Sequence, residues 1–369
     1  MTASYEKFGL KHVINASGKM TILGVSRVAD DVVAAQRFGG QNFFEMADLQ
    51  RKTGEYIARL LGVEDAHIVC SASAGIAQCV AALIGRGDPF HAHHPYSDRY
   101  AVRDIVLPKG HNVDYGAPVE VMVELGGGRV VEAGYANMCS PDHLAVQITD
   151  RTAAVLYIKS HHTVQKSMLT VAQAAEAAHA AGVPLLVDAA AEEDLRAYVD
   201  AGADLVIYSG AKAIEGPSAG LVIGKHEYVE WVRLQGAGIG RAMKIGKDNI
   251  LGFTQAIEDY LAKGPEPGSA QRARLEPFVQ AVSELPGLTA KIVQDGAGRD
   301  IYRASVAVDP AGTVGKTAYD VIAQLKSADP AVYTREYQAN NGIIEFDVRA
   351  VTSEELGLIS ERLGQIVGA

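Results

Sequence analysis

The chain is poor in the residues that staple or anchor a protein. It holds one tryptophan and three cysteines in 369 residues. Cys70, Cys79 and Cys139 cannot all pair and have no metal-ligand spacing, and Cys70 and Cys79 lie in apolar stretches. This speaks against a disulfide framework or a cysteine-rich metal centre, and a reducing cytoplasm is the expected location. No apolar run approaches the ~20 residues of a membrane-spanning helix. Met1 to Lys7 lack the basic-then-apolar order of a secretory signal. Positive charge is in deficit as well: 34 Lys and Arg against 44 Asp and Glu give a net charge of −10. That balance argues against broad nucleic-acid binding, while leaving room for a local basic pocket that takes a small anion.

What the chain does have is length and apolar content. Its 48% hydrophobic residues suffice for a large core and two domains. Short apolar runs alternate with amphipathic segments through the middle. Strands are expected over 66–70, 104–107, 119–125, 153–158, 183–188 and 204–208, and again at Leu221 to Ile223. Helices are expected over 75–84, 171–181 and 192–200. Such alternation predicts an α/β fold with a mostly parallel sheet covered on both faces, and ligands bind outside the carboxyl ends of such strands. A long helix over 249–262 precedes the breaker cluster Gly264-Pro265-Glu266-Pro267-Gly268, where a domain boundary is expected. Beyond it, helices over 271–284, 317–326 and 353–367 and strands over 288–293, 301–308, 331–337 and 342–348 make a small α/β lobe. The expected organisation is an N-terminal segment over 1–45 on the small domain or a dimer partner, a large domain over 46–263, and a small domain over 264–369.

Chemistry concentrates in one stretch. Leu185-Leu186-Val187-Asp188 ends an apolar strand on a carboxylate. One strand-helix-strand unit later, Tyr208-Ser209-Gly210-Ala211 leads to Lys212. A lysine past one strand and an acid at the end of its neighbour suit pyridoxal 5'-phosphate (PLP). The amine forms a Schiff base, and the carboxylate pairs with the ring nitrogen and keeps it protonated. Ser209 is a candidate donor to the cofactor phosphate. Taken singly, Lys212 reads as a solvated loop residue and Asp188 as a helix cap. Upstream, Ser71-Ala72-Ser73-Ala74-Gly75 opens a helix with small residues. Either Ser73, Ala74 and Gly75 offer N–H groups to the phosphate, or the serine is an ordinary cap. His91, His93 and His94 lie in a loop between Pro89 and Pro95, a metal lure without a second ligand group at typical spacing, so no metal is expected.

Several strings together resemble the fold-type I PLP enzymes. They are Val13-Ile14-Asn15-Ala16-Ser17-Gly18, Ser71 to Ile76, Lys109-Gly110-His111-Asn112, Asp188, Ser209 to Lys212 with Glu215-Gly216-Pro217, Gly240 to Lys244, and Tyr333-Thr334-Arg335. The branch they resemble contains bacterial selenocysteine synthase (L-seryl-tRNA selenium transferase) and D-glucosaminate-6-phosphate ammonia-lyase. The resemblance implies a mostly parallel seven-stranded sheet in a large domain, a small C-terminal α/β domain, and a homodimer or larger even-numbered homo-oligomer. His111 is then expected to stack on the cofactor, with Tyr115 as its local competitor and a surface loop histidine as the plain alternative. One of His161 and His162, with His161 the candidate, is expected near the cofactor's phenolic oxygen. Arg335 is expected to grip the substrate carboxylate. Arg241 and Lys244, followed by Lys247, otherwise read as a solvated charge run; by resemblance they take a phosphate, and Asn15 joins them as a substrate contact.

Selenocysteine synthase carries an additional N-terminal tRNA-binding region. Here the Ile-Asn-Ala-Ser-Gly string lies near the start, which with the acidic charge favours the ammonia-lyase side. The expected reaction is removal of ammonia from a hydroxylated amino acid or amino sugar acid, with D-glucosaminate 6-phosphate giving 2-keto-3-deoxy-6-phosphogluconate. Racemase, aldolase or selenium-transfer chemistry at the same carbon, or a non-catalytic protein of this fold, are the alternatives.

Overall fold

The computed structural model describes residues 3–160, 162–296 and 299–369. It divides into two compact units, Val28–Gly264, and Met1–Arg27 joined with Pro265–Ala369.

The larger unit is built on seven strands: β1 (Asp65–Val69), β2 (Asp104–Pro108), β3 (Arg129–Ala133), β4 (Thr152–Ile158), β5 (Leu185–Asp188), β6 (Leu205–Ser209) and β7 (Gly220–Gly224). Their order across the sheet is β1-β7-β6-β5-β4-β2-β3. All neighbours run parallel except β7, which is antiparallel to both β1 and β6. β1, β2, β4, β5 and β7 are buried along their whole length, which is why β2, β4, β5 and β7 read as apolar runs, with polar residues only at an end, rather than as alternating ones. The helix Ala72–Gly85 is apolar on nearly every side and is buried from Ala74 onward. It lies so close to the sheet that a Cβ on Gly75 would stand 3.1 Å from Cγ2 of Ile207.

Two expectations fail here. Residues 119–125, read as a strand from their valines, form the helix Val119–Leu125. Val119 and Val123, one helical turn apart, are its buried positions, while Val121 and Leu125, which a strand would set on the same face, are exposed. The strand is instead β3, just beyond the Gly126-Gly127-Gly128 turn. The helix expected over 192–200 shrinks to Ala197–Asp200, because the Asp194 carboxylate accepts from the N–H groups of Arg196 and Ala197 and starts the helix late.

The boundary near residue 45 also moves. The helix Asp30–Gln41 belongs to the larger unit, where it packs on Lys247–Lys263. Glycines set that approach: a Cβ on Gly39 would lie 2.8 Å from Cα of Asp248, and one on Gly252 would lie 2.4 Å from Cγ of Gln36.

The smaller unit has an antiparallel sheet of Ile343–Asp347, Tyr302–Val308 and Leu288–Gln294, in that order. The helices Gly268–Ser283, Ala318–Ser327 and Ser353–Val367 share its apolar core. The strand expected over 331–337 stops at Thr334. It pairs in parallel with Val13–Ala16, which sets Asn15 opposite Tyr333. Ions are buried in this unit. Arg303 donates to Asp347 at 3.1 Å and to Asp295 at 2.9 Å, and Arg349 donates to Asp347 at 2.8 Å. Arg299, then Arg303, on Asp295, and Arg349, then Arg303, on Asp347, hold both carboxyls far below the usual aspartate range against the opposing effect of burial. Asp347→Ala leaves Arg303 and Arg349 facing a void, so the free energy of unfolding is expected to fall by about 3–5 kcal/mol, measured by urea denaturation.

Candidate active site

At the carboxyl ends of β4, β5 and β6 the larger unit gathers its polar groups. Asp188 closes β5, in register with Ile158 on one side and Ile207 on the other. Its side chain is 6% exposed. One oxygen accepts from the Ala190 N–H at 3.1 Å. Burial raises its pKa from 3.8 to about 6, although the Lys212 charge and the Ala190 N–H pull the other way.

Lys212 stands in the connection from β6 to β7, and it is partly buried. That connection folds back on itself. Gly210 N–H donates to Ala219 at 2.8 Å, Gly216 N–H donates to Gly210 at 2.8 Å, and Glu215 takes a left-handed φ of +56°. A Cβ on Gly210 would lie 2.8 Å from the Phe253 ring, so the backbone just before Lys212 is pressed onto the helix Lys247–Lys263. Small residues at 209–211 thus serve packing, and the lysine is carried on a held turn. The Ser209 hydroxyl makes no hydrogen bond among the described residues.

The helix Ala72–Gly85 begins beside this edge. Both readings of its first turn hold in part. Ser71 is the cap: its hydroxyl accepts from Ala74 N–H at 3.0 Å, and its carbonyl accepts from Gly75 N–H at 3.0 Å. Ala74 and Gly75 therefore have no N–H left for a phosphate, and Gly75 serves the contact with Ile207. The N–H groups of Ala72 and Ser73 make no hydrogen bond among the described residues. Gly220 of β7 backs onto this turn, where a Cβ would lie 2.6 Å from the Ser71 carbonyl. Free N–H groups at a helix start suit an anion.

His111 is placed differently from expectation. It is fully buried, its Nδ1 accepts from Ile158 N–H at 3.4 Å, and its ring meets Tyr157 edge-on at 4.5 Å. Burial pushes its pKa down to about 4, so the ring is neutral. A ring with no exposed face cannot stack on a bound cofactor. Val164 N–H donates to Gly110 at 3.1 Å, folding the loop after β4 over it. Tyr115 keeps part of its surface open, and its neighbours include Ser73 and Asp188. His161 lies outside the described residues, and His162 is exposed.

Arg335 and Asn15 belong to the smaller unit. Arg335 lines a cavity of about 280 Å³ with Ser17, Lys326, Tyr333, Thr334 and Tyr337. Its nearest carboxylate, Glu345, lies 3.5 Å away without hydrogen-bond geometry, so Nε is buried with no hydrogen bond. Thr334 Oγ1 is in the same condition. Asn15 instead organises its own turn, accepting from Ser17 and donating to Gly18. Arg241 and Lys244 are exposed and make no ion pair among the described residues. The histidines at 91–94 do not converge: His91 is buried and His93 and His94 are exposed. Asp65, His226 and Glu230 bring ligand atoms within 4.8 Å, but Arg233 already donates to both carboxylates.

These residues fit PLP. A buried acid, an adjacent lysine and an anion-ready helix start lie along one sheet edge. Tyr333 and Thr334 stood in the sequence only as neighbours of Arg335, and their place in the cavity lining was not read because nothing local distinguishes them from strand residues.

The family model described as L-seryl-tRNA selenium transferase (SelA) matches residues 99–285. D-glucosaminate-6-phosphate ammonia lyase of Salmonella typhimurium is 46% identical over 98% of this chain and 97% of its own length. 5'-C-glycyluridine monooxygenase-decarboxylase of a Streptomyces species is 35% identical over 99% of this chain and 92% of its own. A solved structure of D-glucosaminate-6-phosphate ammonia-lyase superposes with a TM-score of 0.93, covering 100% of this chain and 99% of that one.

The burial of Asp188 has a pH signature. A carboxyl whose pKa is raised on folding adds stability that is full below its unfolded value and lost as pH rises through its folded one. Cofactor-free protein is thus expected to lose roughly 3 kcal/mol from this group between about pH 4 and pH 6. Asp188→Asn should remove that slope, as read from urea midpoints across the range.

Proposed function

The chain belongs to the L-seryl-tRNA selenium transferase family, and from that membership we propose that it is a PLP-dependent ammonia-lyase acting on D-glucosaminate 6-phosphate. The observation that carries this reading is the buried Asp188 carboxylate within electrostatic reach of Lys212, in a chain alike from end to end to an ammonia lyase of that substrate. The fold is that of the fold-type I PLP enzymes.

When bound, PLP supplies an electron sink for the substrate's α-carbon. Asp188 holds a proton on the cofactor's ring nitrogen, and its desolvated carboxylate is suited to sharing one. Ser209 and the Ala72 and Ser73 N–H groups take the phosphate. Lys212 would anchor the cofactor through its Nζ, and the same amine is the base that would take the substrate's α-proton. The β-hydroxyl leaves as water. Hydrolysis of the dehydrated product then gives the 2-keto acid, 2-keto-3-deoxy-6-phosphogluconate, and ammonia, so water is lost once and regained once. Arg335 takes the substrate carboxylate through its planar fork, since its ion pair with Glu345 at 3.5 Å includes no hydrogen bond. Arg241 and Lys244 are proposed for the substrate phosphate, where an exposed cation without a partner is an asset. The three cysteines are free thiols, which supports a cytoplasmic setting. A homodimer or larger even-numbered assembly is proposed on the family resemblance.

Incubation with D-glucosaminate 6-phosphate is expected to release ammonia and a 2-keto acid in equal amounts, and Lys212→Ala to abolish both. Exchange of the α-hydrogen with D₂O without ammonia release would favour a racemase instead. Arg335→Ala is expected to raise KM by roughly 10–100-fold, the loss of charged hydrogen bonds, with a smaller effect on kcat.

A further inference from the structure

Among the described residues the Arg335 guanidinium makes no hydrogen bond, and Glu345 stands 3.5 Å from its Nε without the geometry for one. Glu336, the next residue in the chain, is taken by Lys326 at 2.7 Å. What does meet the guanidinium is Tyr337: Cζ of Arg335 lies over the phenol ring, 5.1 Å from its centroid. Tyr337 is the next residue but one, a spacing that sets side chains on one side of extended backbone. Both residues line the cavity of about 280 Å³. An acid that held Arg335 by hydrogen bonds would use up the N–H edge that a bound carboxylate needs. A ring face attracts the cation and fixes its plane while leaving the N–H donors free. Tyr337 is itself 59% exposed, so its ring adds little to the core.

We infer that Tyr337 is a positioning residue: its ring face holds the Arg335 guanidinium so that the N–H edge stays open to the substrate carboxylate. This rests on the role proposed for Arg335 above. The role belongs to the face of the ring, so phenylalanine fulfils it and an aliphatic side chain does not. The contact favours a ligand that ends in a carboxylate over one that ends in a neutral hydroxymethyl group, because the carboxylate engages the fork through two oxygens.

The test uses two unreactive ligands. D-gluconate 6-phosphate has a hydroxyl in place of the substrate's amine, and D-glucitol 6-phosphate lacks the carboxylate as well. Their affinities are measured by titration calorimetry on PLP-loaded wild type, Tyr337→Phe, Tyr337→Leu, Arg335→Ala and the double variant of Tyr337→Leu with Arg335→Ala. Tyr337→Leu is expected to weaken D-gluconate 6-phosphate about fivefold, to leave D-glucitol 6-phosphate unchanged, and to add nothing on top of Arg335→Ala. Tyr337→Phe is expected to bind both ligands as wild type does, and neither variant to lower the thermal midpoint. In turnover, Tyr337→Leu raises KM by the same factor with a smaller effect on kcat. Unchanged binding in Tyr337→Leu, equal losses for the two ligands, a Tyr337→Phe as weak as the leucine variant, or full additivity in the double variant would overturn the inference. A wild type without preference for the carboxylate ligand, or an Arg335→Ala that binds it undiminished, would instead defeat the underlying reading of Arg335.

Discussion

Burying Asp188 strips its carboxylate of water, and one N–H from Ala190 returns little of what is lost. The charge is tolerable because Lys212 lies within electrostatic reach, on the turn beyond the adjacent strand. Neither residue explains itself alone. A buried acid in want of a cation and a partly buried lysine on a constrained turn are complementary, and a cofactor with a basic ring nitrogen and an aldehyde satisfies both. The position of the pair follows from parallel strands, whose carboxyl ends fall together at one edge.

Close backbone approach makes that edge rigid. Gly220 lets β7 press on the Ser71 turn, Gly75 lets the following helix press on β6, and Gly210 lets the lysine turn press on Phe253. Each contact would be filled by a single methyl group. The helix start, the strand ends and the lysine turn are thereby locked to one another within the larger unit. A site whose parts are fixed before ligand arrives needs little ordering when it binds.

The strands of the larger unit were legible where both faces are buried, because burial writes itself as a continuous apolar run, as in 153–158 and 204–208. It fails at β3, whose partly exposed residues include Arg129 and Glu132 and give no such run. Valine spacing at 119–125 matched a strand and was decided instead by which side chains could be covered. Asp188 and Lys212 were readable because their chemistry is carried by type and spacing. The fate of His111 was not, since its burial depends on a loop some fifty residues later folding over Gly110. Ser71 competed with its neighbours for the same helix start, and only hydrogen-bond partners separate a cap from a phosphate donor.

Among the described residues the strand Val13–Ala16 finds its only strand partner at Ala331–Thr334, about 300 residues further on. The larger unit, by contrast, is one continuous stretch of chain. During synthesis on the ribosome the sheet that bears Asp188 and Lys212 can close while the smaller unit still waits for its second half. Until then the opening residues have no ladder to join. The segment with the Arg335 cavity is thus the last to mature, and a nascent chain can own its lysine turn well before it owns the cavity that Arg335 lines.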